Sequence, residues 1–294
     1  METMESLIGQ GRLAIDLVID KDTFQENVVG ALTLQDPDFG PGSVIGTAKL
    51  NGETVTVIAN DAMVANLNFP VVYAGVIGME EAYKMAMAVY YTIDADKDAP
   101  AEAKRPLVLI VDTPGNGPGK QEEIFGMNKA TGAYQLALAE ARKKGHIIIA
   151  VVVGRAISGA FLCHGLQADR ILALGPQFGT MIHVMPVTSI ARITKLDQSF
   201  LEDLSQSNPV FAAGPQFFEK LGGVEELINS IDLLRDSLIK HVKEVREAKK
   251  AGKETGPWSR GILGQERGGR VMRSKVIEVM NKEFAAVEGK YLNI

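Results

Sequence analysis

Leu107-Val108-Leu109-Ile110-Val111 runs into Asp112-Thr113-Pro114-Gly115, and Ile147-Ile148-Ile149-Ala150-Val151-Val152-Val153 runs into Gly154-Arg155 and then Ser158-Gly159-Ala160. Neither run alternates apolar with polar residues, so each predicts a strand covered on both faces, as in a parallel sheet. The stretch between them, from about Gln121 to Lys144, reads as the helical crossover that parallel neighbours require. A βαβ unit therefore sits at the centre of an α/β fold. A third short strand, Arg170-Ile171-Leu172-Ala173-Leu174, closes this layer.

Upstream, Gly46 to Leu50 and Thr54 to Ala59 flank Asn51-Gly52, the favoured two-residue turn of a β-hairpin. Met79 to Tyr91 has helical spacing, and Asp94 to Pro106 reads as a surface connection. From Thr188 onward helices dominate, with Ile190 to Lys195, Ser199 to Ser205, Gln216 to Leu221, Val224 to Lys250 and Lys275 to Val287 as candidates. Lys249 to Gly269, rich in glycine and charge, is expected to run as loop.

The whole chain of 294 residues is 46% apolar and 23% charged, a composition that excludes disorder as the main state. Its 36 acidic residues outnumber 31 basic ones, so no basic surplus marks a nucleic-acid binder. One cysteine, Cys163, cannot form an internal disulfide, which fits a reducing, cytoplasmic setting. No secretory signal is visible, and the longest apolar run, Ile147 to Val153, falls well short of the ~20 residues that span a bilayer. No membrane association is expected.

Several chemistries fail residue by residue. In Gly115-Asn116-Gly117-Pro118-Gly119-Lys120 the residue after Gly-Lys is Gln121, where a phosphate-binding loop needs Ser or Thr, and Pro114 stands where its first glycine belongs. A dinucleotide loop would need its third glycine at Lys120. The four histidines are scattered and none pairs at i, i+4, so no metal site is expected. Ser158 lacks the glycine two residues earlier that a nucleophile elbow needs, and Cys163 reads as a small core residue.

What survives is a pair of backbone arrangements. Each buried strand ends in a glycine-containing turn, Thr113-Pro114-Gly115-Asn116 and Ile157-Ser158-Gly159-Ala160, and runs into a helix. Ligands collect at such strand ends, where helix N-termini present unpaired N–H groups. Two N–H groups converging on one carbonyl form an oxyanion hole; on pattern alone, these are equally well tight strand-to-helix turns.

Asp112-Thr113-Pro114-Gly115-Asn116-Gly117-Pro118-Gly119, with Glu122-Glu123, and then Gly154-Arg155-Ala156-Ile157-Ser158-Gly159-Ala160-Phe161, resembles the carboxyltransferase branch of the crotonase superfamily over roughly Gly46 to Leu221. The chain departs from that pattern at Asn116, where the family has Phe, and at Ser158, where it has Gly. Ala191-Arg192-Ile193-Thr194-Lys195, Leu204 through Ala212, and Leu221-Gly222-Gly223 narrow the resemblance to the γ subunits of bacterial malonate decarboxylase. The implied fold is a crotonase-like ββα superhelix. One carboxyltransferase half would fill residues 1–294, with an N-terminal extension over 1–45 and a helical region over 224–294.

The resemblance implies a heteromer with a β subunit, decarboxylating malonyl carried as a thioester on the phosphopantetheine-type arm of an acyl-carrier subunit. No cofactor would bind this chain directly. The alternatives are a biotin-dependent carboxyltransferase, which passes the carboxyl group to biotin, and a non-catalytic scaffold for the β subunit. The backbone N–H groups of Gly159 and Ala160, with Gly115 or Asn116, are the expected catalytic donors; the leaving carboxylate or, with biotin, a ureido oxygen are the other ligands they would suit. Ser158, His164, His183 and Arg192 are candidates for substrate binding. In that family the half resembling this chain holds the carboxyl-acceptor side. Glu122 and Glu123, near a helix N-terminus, read first as partners of its dipole.

Overall fold

The computed structural model describes residues 6–207 and 214–292, so Asn208 to Ala212 of the resemblance lie outside the described residues. Helix α1 (Gly11–Val18) precedes three two-residue strands, β1 (Gln25–Glu26), β2 (Val28–Val29) and β3 (Leu32–Thr33). The hairpin β4 (Ser43–Leu50) and β5 (Glu53–Asn60) and helix α2 (Met79–Ala95) follow. The centre is built from β6 (Leu107–Thr113), α3 (Lys120–Phe125), α4 (Met127–Lys143), β7 (Ile148–Ile157), α5 (Ser158–Cys163), β8 (Arg170–Leu174) and β9 (Met181–His183). The chain continues through α6 (Val187–Thr194), α7 (Gln198–Ser207), α8 (Pro215–Lys220), β10 (Glu226–Ile228), α9 (Leu234–Lys250), α10 (Pro257–Glu266) and α11 (Arg273–Ala285).

The main sheet has the order β1-β4-β5-β6-β7-β8-β10, with β9 added to the C-terminal end of β7. The β1, β4 and β5 pairings are antiparallel, and every pairing from β5 to β10 is parallel. The unbroken apolar runs are explained by two cores. Leu107, Leu109, Val111, Ile148, Ala150 and Val152 face one core with α2 and α4, while Val108, Ile110, Ile149, Val151 and Val153 face the other with α1 and α9. Both faces are covered, so neither strand has a polar position to alternate with. Residues 11–18 take part in this packing, since Ala14, Ile15 and Val18 are buried in the second core.

Three features differ from the sequence expectation. The helix expected over about 121–144 breaks at Gly126, which adopts φ +106°, a left-handed conformation that ends α3 and starts α4. The helix expected from Val224 begins only at Leu234; Glu226–Ile228 instead pairs in parallel with Leu172–Leu174 as the last strand of the sheet. The expected loop Lys249 to Gly269 contains α10, which Pro257 opens at its first turn.

Candidate active site

The two glycine-containing turns emerge at the C-terminal ends of adjacent parallel strands, β6 and β7, and they touch. A Cβ placed on Gly159 would come within 2.5 Å of Asn116 Oδ1, so the Asn116 carboxamide occupies the space that a side chain at position 159 would need. A Cβ on Gly115, by contrast, would meet nothing within 4 Å, and the backbone there is open on that side.

Each turn leaves N–H groups unused by the fold. Helix α5 starts immediately after β7, no side chain caps it, and its first-turn N–H groups, those of Gly159 and Ala160 included, have no intrahelical acceptor. Ser158 makes this abrupt change of direction by adopting φ +56°, a left-handed conformation uncommon for a residue with a Cβ. In the other turn Ile77 N–H donates to Gly115 O at 3.0 Å and Gly117 N–H donates to Ile77 O at 2.9 Å. This bridge points the intervening Asn116 N–H away from Ile77. The Gly115 N–H is less available, because it donates to Thr113 Oγ1 at 3.3 Å.

The side-chain candidates separate. Ser158 is exposed at the turn itself. His183 is brought beside it by β9, whose register places His183 opposite Ile157. The ring is half-buried, its Nδ1 has no partner, and burial pushes its pKa down, so it is held toward the neutral form. Arg192 is exposed on α6. Glu122 is buried in the first turn of α3 with Oε1 unpartnered, while Glu123 is exposed.

His164, a candidate for substrate binding in the sequence, lies in the core. It is fully buried, its Nε2 lies 2.9 Å from the Ile110 carbonyl and its Nδ1 lies 2.9 Å from the Tyr134 hydroxyl. A carbonyl only accepts, so Nε2 carries the proton and Nδ1 accepts from Tyr134. Desolvation holds the imidazole pKa down at about 4. Cys163 is likewise internal: its Sγ–H donates to the Ala160 carbonyl at 3.2 Å, and burial pushes its pKa up to about 12.

The His164 environment predicts an acid-sensitive fold. The imidazole takes up a proton near its ordinary value of 6.5 in the unfolded chain but only near 4 in the folded one. The unfolded state therefore binds the additional proton between these values, and stability falls as pH drops through that window. At 1.36 kcal/mol per pKa unit the loss attributable to this ring is about 3 kcal/mol. Urea midpoints at pH 7 and pH 4.5 should diverge less for His164→Gln than for the parent chain; equal divergence would assign the acid sensitivity to other groups.

Asp112 and Arg155 do not stand out in the sequence, where each is an ordinary member of its motif. Between the paired positions Val111↔Val152 and Thr113↔Ala156 the register shifts, with β7 advancing further than β6. The Asp112 carboxylate fills the irregularity. Its Oδ1 accepts from Arg155 N–H at 2.8 Å and from Arg155 Nε at 2.8 Å, and its Oδ2 accepts from Arg155 Nη2 at 3.0 Å and from Gly9 N–H at 2.7 Å. Gly154 is required beside it, since a Cβ there would lie 2.5 Å from Asp112 Oδ1. The signal available in the sequence was an acid and a base each placed just before a glycine-containing turn.

Comparison with known proteins agrees with this architecture. A family model described as malonate decarboxylase gamma subunit matches residues 73–284. Malonyl-S-ACP:biotin-protein carboxyltransferase MADD of Malonomonas rubra is 63% identical over 285 residues, covering 96% of this chain and 98% of that protein. The crystal structure of a Pseudomonas malonate decarboxylase hetero-tetramer in complex with coenzyme A contains a chain 31% identical, with a TM-score of 0.68 over 82% of this chain and 91% of that one. Transcarboxylase 12S, at 22% identity and a TM-score of 0.62, shares the fold; the match covers 82% of this chain but 42% of that longer one. The fold is thus the crotonase-like α/β fold of a carboxyltransferase half. With paired turns at the ends of two parallel strands, and matches that span most of its length, the chain belongs to the malonate decarboxylase gamma subunit family.

Proposed function

We propose that this chain is one half of a heteromeric carboxyltransferase that moves the carboxyl group of a malonyl thioester to a biotin carried on a partner protein. The observation that carries this reading is the 63% identity, over nearly the full length of both chains, to a protein named for that transfer. The thioester would ride on the phosphopantetheine-type arm of an acyl-carrier subunit, and a β subunit would complete the site, as the hetero-tetrameric Pseudomonas relative suggests. The chain would act in the cytoplasm as a single unit over 1–294.

The chemistry requires the bond between the malonyl α-carbon and its carboxylate to break. The electron pair stays on the α-carbon and delocalises onto the thioester oxygen, and a proton then takes the place of the departed carboxyl group. Biotin would supply a ring nitrogen that accepts this group as its N–H proton leaves, and the loss of that proton balances the one gained by the α-carbon. The residues of this chain suit the acceptor side. N–H groups of Gly159, Ala160 and Asn116 would donate to a ring carbonyl oxygen and favour the negative charge that grows there. Gly115, without a side chain and with open space before it, leaves room for a flat ring. His183 and Ser158 at the same mouth would orient the bound groups, and Arg192 would steer the carboxylate or the acidic carrier.

A second reading, direct decarboxylation without biotin, is favoured by the family match and by the Pseudomonas structure. Co-expression with the β-type subunit, followed by assay of malonyl-carrier thioester with a biotinylated acceptor protein, separates the two. Carboxyl transfer that avidin abolishes is expected. Carbon dioxide release insensitive to avidin would replace the proposal with the decarboxylase, and an inactive but assembled complex would leave this chain as a scaffold.

A further inference from the structure

We infer that the Asp112–Arg155 ion pair is the positioning element that sets the spacing between the two N–H-bearing turns of the site. This inference deepens the functional reading above and rests on it.

Asp112 precedes the 113–119 turn on β6, and Arg155 precedes the 158–160 turn on β7. The carboxylate is 1% exposed and the guanidinium side chain 17% exposed. Two contacts run in parallel, Nε to Oδ1 and Nη2 to Oδ2, the planar fork that fixes orientation as well as distance. The two strands lack regular register at this point, so the pair stands where ladder hydrogen bonds would otherwise hold them together.

The same guanidinium holds a third segment. Arg155 Nη2 also donates to the Ala74 carbonyl at 3.0 Å. Ala74 and Gly75 adopt φ +53° and +87°, and a Cβ on Gly75 would sit 2.8 Å from the Asp112 carbonyl oxygen. This tight turn continues to Ile77, the residue whose backbone bridges Asn116. The pair therefore acts on Asn116 twice, through β6 and through the 74–77 segment, and on Gly159 through β7. Both Asp112 carboxylate oxygens are occupied by Arg155 and Gly9, which fits a positioning group and not a ligand contact.

A shift of about 1 Å in such donors is enough to cost roughly 100-fold in rate. In the complex with the β-type subunit, Arg155→Ala is expected to lower kcat for carboxyl transfer about 10–100-fold while KM for the malonyl-carrier thioester stays within about twofold. Arg155→Lys keeps the charge but not the fork, and should fall between the two. Added guanidinium chloride at millimolar concentration should restore part of the Arg155→Ala rate, whereas equal sodium chloride should not.

An unchanged kcat, a loss confined to KM, or equal response to both salts would overturn the inference. Should Arg155→Ala fail to assemble, Arg155→Lys decides it: a wild-type kcat in that variant would overturn it. If the parent complex itself transfers no carboxyl group, the functional reading fails separately. Amide hydrogen exchange then tests the spacing role, with faster exchange in both 113–119 and 158–162 expected in Arg155→Lys, and unchanged exchange counting against it.

Discussion

Replacing Gly159 by proline should lower carboxyl transfer by about 100–1,000-fold in an intact complex, the usual effect of removing one oxyanion donor. Proline takes away the backbone N–H and little else that the first turn of α5 needs. Its φ suits the opening residues of a helix, and Gly159 is not among the residues with positive φ. Two side effects need control. Any Cβ at this position approaches Asn116 Oδ1, a crowding that Gly159→Ala shares while keeping the N–H. A following proline also crowds the left-handed Ser158, which Ser158→Gly relieves in the double variant. The ratio between the proline and alanine variants thus isolates the donor. Transfer by the proline variant within about twofold of the alanine variant would remove this N–H from the chemistry.

The largest expected effect on stability lies elsewhere, at Asp169. This fully buried carboxylate accepts from Ile148 N–H at 2.8 Å, from Thr255 Oγ1 at 2.6 Å and from Lys249 Nζ at 3.0 Å. Its own carbonyl accepts from Gly256 N–H at 3.1 Å. One side chain therefore joins β7, the end of α9 and the entrance to α10. Asp169→Ala leaves the Lys249 ammonium with the His146 carbonyl as its hydrogen-bond acceptor, in a place where burial already pushes its pKa down. Removing one partner of a buried pair costs about 3–5 kcal/mol. At roughly 2–4 °C per kcal/mol for a chain of this size, Tm should fall by about 6–20 °C. Asp169→Ala combined with Lys249→Met should recover part of the loss, because the uncompensated charge is gone. A single variant that melts with the parent would show that the network contributes nothing.

These two residues also show what was legible in the sequence. Gly159 stood in a recognisable turn after an apolar run, and the run predicted where in the fold that turn would lie. Asp169 stood between ordinary neighbours. Its partners Lys249 and Thr255 come from a stretch whose glycine and charge content suggested loop. The charge at Lys249 is directed inward by the position of α9, a fact of packing that composition does not carry. The same limit explains β10. Glu226–Ile228 is too short to show periodicity, and it becomes a strand because β8 offers it an open edge. Gly126 stood in an otherwise helical pattern, and only the backbone at φ +106° shows that it separates two helices.

By itself the sequence determined the layer order at the centre: hairpin, helix, strand, crossover helix and strand follow from local turn chemistry and from apolar runs that demand cover on both faces. It also determined which backbone segments stand at the strand ends, including Gly115, Asn116, Gly159 and Ala160. The tertiary structure decided which side chains meet there. It buried His164 between Tyr134 and Ile110, set His183 beside Ile157, and joined Asp112 to Arg155 across 43 residues of chain. Periodicity reports the environment of one segment, whereas a hydrogen bond between distant residues depends on strand register and on the path of every segment between them.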